Sequence, residues 1–356
     1  MKFGLFGGAT AARVGPDVDS AQGYNEFIEY NIEAEALGYH STFMVEHHFT
    51  GFGQVSASLN FLTWLGARTT TLRLGTAVLV LPWHNPVLVA EQTATLDLLS
   101  NGRLDFGIGK GYRYNEFDGF CIPMEEAEAR FEESIHVIKK AWTSGDRFSH
   151  EGRYWRYNNI VVEPGVRQLP HPPIWMGAGS ESSIRRVAEL GANLLLDQFT
   201  PIEAIGEKFA FFKGEVEKLG RVFDPDTVAV ARAFYVANND ADKEAAHERR
   251  LKAQRRLTTI SQTPSGDNKA SILSFSDTRQ ASEESALYGL PDEICVKIRR
   301  LEELGVRYLL LTGGGLRENL RRFAKDVMPV FRGGNGVSSS AASTAKAKAV
   351  APTTGQ

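Results

Sequence analysis

The chain has 356 residues, 42% of them hydrophobic and 23% charged, with a formal net charge of −3. Such composition is ordinary for a globular protein and excludes a strongly basic nucleic-acid surface; the length suits one α/β barrel with insertions. The only two cysteines, Cys121 and Cys295, lack CxxC spacing, which excludes a disulfide framework and a cysteine zinc site.

From the N-terminus, MKFGLFGG lacks a signal-peptide pattern, and no run approaches the ~18 apolar residues of a spanning helix. A cytoplasmic protein with no nucleic-acid or membrane partner is expected. Strands are predicted over residues 2–8, 41–46, 72–81, 104–109, 174–178, 193–197, 227–237 and 308–312. Helices are predicted over 24–37, 57–69, 86–99, 125–143, 182–190, 201–219, 240–257, 291–304 and 316–331. Apolar runs give way to 3.6-residue spacing each time, as in successive βαβ units. The run LGTAVLVL is apolar throughout, as suits a parallel strand covered on both faces. About eight such repeats close a (β/α)8 TIM barrel rather than an open sheet.

Three stretches break the repeat. Residues 144–173 read as a small β-containing insertion, and the polar stretch 258–286 as a lid or binding loop. Residues 333–356, rich in Gly, Ser, Ala and Thr, read as a disordered tail beyond a barrel domain of residues 1–332.

Active sites of α/β barrels sit where strands end and helices begin. The second strand ends in Glu46-His47-His48-Phe49-Thr50. Imidazoles there can move protons near neutral pH or serve as hydrogen-bonded structural groups. Glu46 and His48 point one way and His47 the other, without HExxH or third-ligand spacing, so a metal site is the weaker reading. Gly75, Thr76 and Ala77 on the third strand would let a planar ligand approach, or simply pack the barrel interior. Gly107-Ile108-Gly109-Lys110-Gly111 forms either an anion cradle or a glycine-rich turn. Gly177-Ala178-Gly179-Ser180 opens a helix and offers N–H groups to a phosphate, or is a plain cap by Ser180. Both glycine motifs fall short of the dinucleotide fingerprint, with Tyr112 and Ser182 at the third glycine position. Asp197 stands where a ribose-binding acid would follow the second motif, which keeps a Rossmann reading in play. Gly313-Gly314-Gly315 is a further cradle or a tight turn.

Taken together, these residues resemble the bacterial luciferase-like flavin monooxygenases over roughly the first 330 residues. The likeness rests on Glu46-His47-His48-Phe49-Thr50-Gly51-Phe52-Gly53, Leu74-Gly75-Thr76-Ala77 and Leu81-Pro82, with His84, Pro86 and Val87. Glu91, the run from Leu96 to Arg103, Phe106-Gly107-Ile108 and Asp326-Val327-Met328-Pro329 extend it. The resemblance implies that His47 is the catalytic acid/base beside the reactive face of the flavin. It implies a non-proline cis peptide at Ala77–Val78 under the isoalloxazine ring. Lys110, Gly179, Ser180 and Ser183 match the contacts to the FMN phosphate, and residues 258–284 match a mobile lid. The implied activity is a two-component monooxygenase. It would take reduced FMN and O2 through a C4a-hydroperoxide to oxygenate a small, hydrophobic organic substrate. A separate NAD(P)H:flavin reductase and a homodimer complete the expectation. Phe52, Trp64, Trp83, Tyr112 and Phe120 are candidates for a hydrophobic substrate pocket or for core.

Two departures stand out: Gly109 replaces the reactive cysteine of the luciferase α subunit, and Lys110 replaces its arginine. The first points to an ordinary monooxygenase rather than a light emitter. The alternatives are a deazaflavin-dependent hydride-transfer oxidoreductase, a non-catalytic partner like the luciferase β subunit, and a metal-assisted hydrolase using His47 and His48.

Overall fold

Eight parallel strands close on themselves in chain order: β1 (Lys2–Gly7), β2 (Ser41–Met44), β3 (Arg73–Thr76), β4 (Leu104–Gly109), β5 (Ile174–Gly177), β6 (Asn193–Leu196), β7 (Val228–Val236) and β8 (Tyr308–Thr312). The ring is completed by β8 pairing with β1 at Lys2↔Tyr308. The computed structural model describes residues 1–11, 19–261, 263, 265–266, 276, 278–313 and 316–332. The expected tail over 333–356 and part of the expected lid over 258–286 lie outside them. So do Gly314 and Gly315 of the last glycine run.

The chain is therefore the (β/α)8 TIM barrel that the strand count predicts. Around it run α1 (Gln22–Ala36), α2 (Ser58–Arg68), α3 (Pro86–Leu99), α4 (Tyr114–Gly119), α5 (Ala127–Thr143), α6 (Glu181–Leu190), α7 (Ile202–Lys218), α8 (Asp240–Ser261), α9 (Arg279–Ser285), α10 (Pro291–Glu303), α11 (Arg317–Asp326) and α12 (Met328–Arg332). Among the described residues no helix is long and apolar enough to cross a membrane. The insertion after α5 is an antiparallel hairpin, Phe148–Glu151 with Arg156–Ile160. Tyr157 donates from its hydroxyl to Asn85 Oδ1 at 3.1 Å. Asn85 also caps α3 by accepting from the N–H groups of Val87 and Leu88, so one side chain starts a helix and anchors the insertion.

Two differences from the predicted elements matter. The third strand, expected over 72–81, ends at Thr76, followed by a cis Ala77–Val78 peptide bond. Pairing resumes only at Leu79↔Ile108 and Val80↔Gly109, before a 3-10 turn at Leu81–Trp83. The helix expected over 316–331 is two, α11 and α12; Pro329, which has no N–H to donate, stands in the first turn of α12.

The barrel has two distinct ends. Its interior is filled by Phe43, Trp175, Leu195, Ala229, Tyr308 and Leu310. Gly75 makes this possible: a Cβ there would lie 2.5 Å from the Phe43 ring. At the N-terminal end Arg73 forks onto Asp105 (2.7 and 2.8 Å), and Trp175 Nε1 donates to the same carboxylate at 3.1 Å. Ser41 Oγ and the Tyr308 hydroxyl bond at 2.5 Å beside them. Such bidentate, charge-assisted contacts plug that end. At the C-terminal end the interior stops at half-buried Phe6, Ala77 and Val78, which pack on the core from above. The candidate site residues lie there.

Candidate functional site

Glu46 organises the segment after β2. Its carboxylate is buried and accepts from His48 Nε2 (2.8 Å), His84 Nε2 (2.6 Å), Trp83 Nε1 (3.4 Å) and the backbone N–H of Val80 (2.7 Å). Burial alone would raise its pKa; the hydrogen bonds from His48 and His84, the charge of His84 and the Val80 N–H outweigh it and hold the carboxyl at about 2. The acid thereby ties the loop after β2 to the chain just beyond Val78.

His47 points away from this cluster, as strand alternation predicts. Its Nδ1–H donates to Glu116 Oε1 at 3.1 Å, and the same oxygen accepts from the backbone N–H of His48 at 2.9 Å. A carboxylate on Nδ1 fixes the tautomer and leaves Nε2 as the acceptor. Burial lowers the His47 pKa, and Glu116 opposes that shift. The imidazole is thus neutral at physiological pH, with a lone pair to receive a proton.

Glu116 is the partner of His47 that the sequence does not reveal. It lies on α4, six residues long, too short for its apolar spacing to register as a period. Phe117 and Phe120, one turn apart, were the available signal. An aromatic clamp sets this helix against the loop after β2. Trp83 packs on Phe117 (4.9 Å between ring centroids) and stacks on Phe120 (5.3 Å), while His48 meets Phe120 edge-on at 4.8 Å. Arg113, itself buried, sits 3.9 Å from Glu116 and balances its charge. Of the five aromatic residues expected at a substrate pocket, Trp83 and Phe120 serve this clamp. Trp64 lies on the outer helix α2, 59% exposed.

The two glycine motifs meet because β4 and β5 are neighbours, with Ile108 opposite Met176. Glycine is required on the β4 side: a Cβ on Gly107 would lie 1.7 Å from the Thr76 carbonyl oxygen, and one on Gly109 would lie 2.5 Å from Val78 Cγ2. Above Gly177 a Cβ would meet nothing within 4 Å. Beside that open space α6 begins with a capping box. Ser180 accepts from the Ser183 N–H, and Ser183 Oγ accepts from the N–H groups of Gly179 and Ser180. The N–H groups of Glu181 and Ser182 have no hydrogen-bond partner among the described residues and sit at the positive end of the helix. Lys110 is exposed and pairs with Glu128 across the surface. An exposed pair of this kind contributes little, so the ammonium is available to an anion.

These residues fit a flavin mononucleotide: a flat platform at Ala77–Val78, a free space at Gly177, an N–H-rich helix start for a phosphate and an oriented imidazole on the adjacent strand end. The chemistry they permit is proton exchange at one nitrogen beside an anion-bearing planar ligand. Among the described residues no group of three or more His, Cys, Asp or Glu side chains could hold a metal ion.

Known proteins share this framework. The oxygenase component of a flavin-dependent trigonelline monooxygenase from Acinetobacter baylyi is 28% identical over 353 residues, covering 93% of this chain and 96% of its own. An F420-dependent glucose-6-phosphate dehydrogenase from Microbacterium testaceum is 27% identical, covering 90% of this chain and 97% of its own. The crystal structure of the monooxygenase RslO1 from Streptomyces bottropensis superposes with a TM-score of 0.79 at 26% identity, over 93% of this chain and all of that one. The model of the luciferase-like monooxygenase family matches residues 1–308, and the chain belongs to that family.

Proposed function

We propose that the chain is the oxygenase component of a two-component FMN-dependent monooxygenase that acts on a small organic substrate. The observation that carries this reading is the His47–Glu116 pair at the mouth, with its free Nε2 one strand away from the Ala77–Val78 platform. When bound, reduced FMN supplies the activation of O2. Lys110, Gly179, Ser180 and Ser183 hold the phosphate, the last three through the start of α6. Ala77 and Val78 support the ring. His47 accepts and returns a proton at Nε2, a role typically worth ~10²–10⁴-fold, while Glu116 keeps the ring aimed.

The relative from A. baylyi is described as an oxygenase component, and this chain carries no complete nicotinamide fingerprint; both support reduction by a separate NAD(P)H:flavin reductase. The barrel domain spans residues 1–332. Trp64, Leu88, Leu98 and Leu99 expose large apolar side chains on α2 and α3, which supports a homodimer paired through these helices.

A second reading, hydride transfer with F420, is favoured by the dehydrogenase from M. testaceum. Oxygen uptake separates the two. Purified protein given reduced FMN and a panel of small ketones, aldehydes and heteroaromatics should consume O2 and yield an oxygenated product. His47→Ala should lower that yield sharply with reduced-FMN affinity nearly intact. Substrate oxidation with F420 and no oxygen requirement would overturn the proposal.

A further inference from the structure

A second hollow opens at the same end of the barrel, over the ends of β6, β7 and β8, with a volume of about 300 Å³. That is the lower end of the range for small-molecule sites. Four aromatic residues, Phe199, Phe234, Tyr235 and Tyr288, wall it, and Thr312 and Ala233 reach it from the strand ends. Two guanidinium groups, Arg249 and Arg250, line it from α8, and among the described residues no Asp or Glu does.

Arg250 is held in place, with no ion pair among the described residues. It is 7% exposed. Its Nε donates to Ser282 Oγ, and its Nη2 donates to Ser285 Oγ and the Gln198 carbonyl, all at 3.1 Å. Each of these partners is neutral, as is the Tyr288 hydroxyl within side-chain hydrogen-bonding reach of the guanidinium. Phe199 and Tyr288 flank the guanidinium at 6.0 and 5.8 Å. Arg249 sits at the exposed rim, 5.4 Å over the Tyr235 ring.

A third guanidinium, that of Arg232 on β7, is fully buried behind them. Its Nη1 donates to the Asp197 and Ala231 carbonyls at 2.9 Å, and its Nε and Nη2 have no partner. Burial lowers its pKa to about 10, with Asp197 opposing and Arg250 reinforcing the shift, so it stays charged at neutral pH. Asp197, the nearest acid, already answers the ammonium of Lys208 at 3.6 Å. Among the described residues neither Arg232 nor Arg250 forms an ion pair, and buried charge of that kind calls for an anion.

We infer that this hollow is the substrate subsite and that the substrate is a small planar carboxylate. Its ring lies among Phe199, Tyr235 and Tyr288, its carboxylate faces Arg250, and Arg249 closes the rim. A charge-assisted contact from a guanidinium suits a carboxylate oxygen, and the aromatic walls match a flat ring. The assignment rests on the flavin reading above, because it takes the mouth beside Ala77–Val78 as occupied by the coenzyme.

The test is equilibrium binding of benzoate to the flavin-free full-length protein by calorimetry, with benzyl alcohol and inorganic phosphate as comparators. Benzoate should bind clearly more tightly than either. Arg250→Gln should weaken benzoate roughly 30-fold or more, as loss of a buried charged partner does, and leave benzyl alcohol little changed. Arg250→Lys should fall between. Arg250 also anchors α9, so Arg249→Gln provides a rim variant that leaves those bonds intact, and it should weaken benzoate several-fold. Equal affinity for benzoate and benzyl alcohol in the unmodified protein, or tighter binding of phosphate, would overturn the inference. So would indifference of benzoate to both Arg249→Gln and Arg250→Gln. A parallel anaerobic titration with reduced FMN separates the two proposals. Binding of reduced FMN without charge-selective benzoate binding sinks only this one; the converse sinks the flavin reading.

Discussion

Glu116 accepts from both the Nδ1–H of His47 and the backbone N–H of His48 through a single oxygen, Oε1. One carboxylate therefore fixes the imbalance between the two ring nitrogens of His47 and the path of the chain carrying it. That arrangement resembles the orienting acid of a catalytic dyad, in which the acid sets the tautomer of the base. Glu116→Gln keeps the shape and exchanges the charged acceptor for an amide. It should lower product formed per O2 consumed about 10- to 100-fold, within the usual worth of proton management. The affinity for reduced FMN should change little. Coupling measured by oxygen electrode and product chromatography checks both.

The acid limb of product formation reports His47 directly. In the proposed mechanism neutral imidazole is the active form, and burial lowers its pKa. Product formation should therefore persist below pH ~6.5, the ordinary histidine value, and decline only as pH falls through the lowered one. Because Glu116 pulls that pKa upward, Glu116→Gln should move the limb to still lower pH. A merely structural role for Glu116 leaves the limb where it was.

Glu46 makes a separate statement about stability. Its carboxyl titrates at about 2 in the fold, against ~4.3 in an unfolded chain. A depressed folded-state value contributes stability above the unfolded pKa, and that contribution is lost as pH falls toward the folded one. The stabilisation is on the order of 3 kcal/mol at neutral pH. Thermal melts between pH 7 and pH 3 should show a steep acid loss that Glu46→Gln flattens, with a lower melting temperature at pH 7.

Packing at the mouth separates two glycines on adjacent strands. Gly107→Ala places a Cβ 1.7 Å from the Thr76 carbonyl, whereas Gly177→Ala meets nothing within 4 Å. The first should cost about 1–3 kcal/mol or more by overpacking, and the second should leave stability nearly unchanged. Denaturant titrations of the two variants measure the contrast.

At the proposed phosphate cradle, removing a donor should weaken reduced FMN and spare riboflavin, which lacks the phosphate. Lys110→Ala and Ser180→Ala are each expected to cost about 3- to 10-fold, the worth of one charge-assisted contact near a helix start. Fluorescence titration with both flavins tests this, and equal losses for the two would remove these residues from the cradle.

The strand count and the 3.6-residue helices were legible because each is a repeated pattern, and β1–β8 appear at the predicted places. The positions of His47 and Ala77–Val78 were legible through motif likeness. Their partners were not. Glu116 reaches His47 from 69 residues away, on a helix of six residues. The short strand Leu287–Gly289, which pairs with β7 and brings Tyr288 beside Arg250, has only three residues. Elements this small leave no period to read, and their place is set by tertiary contact. The break at Thr76 was hidden for a related reason: LGTAVLVL is uniformly apolar, so nothing in its alternation marks where pairing stops. Arg232 and Arg250 went unremarked because an arginine in a strand or a helix looks like any solvated charge until its burial is seen.

Reduced FMN mixed anaerobically with the protein and then exposed to O2 in the presence of substrate tests the central claim most directly. The expected result is saturable binding of the reduced coenzyme and one oxygenated product for nearly every O2 consumed, with His47→Ala diverting most of that oxygen to hydrogen peroxide. No binding of reduced FMN, or identical coupling in His47→Ala, would contradict the account.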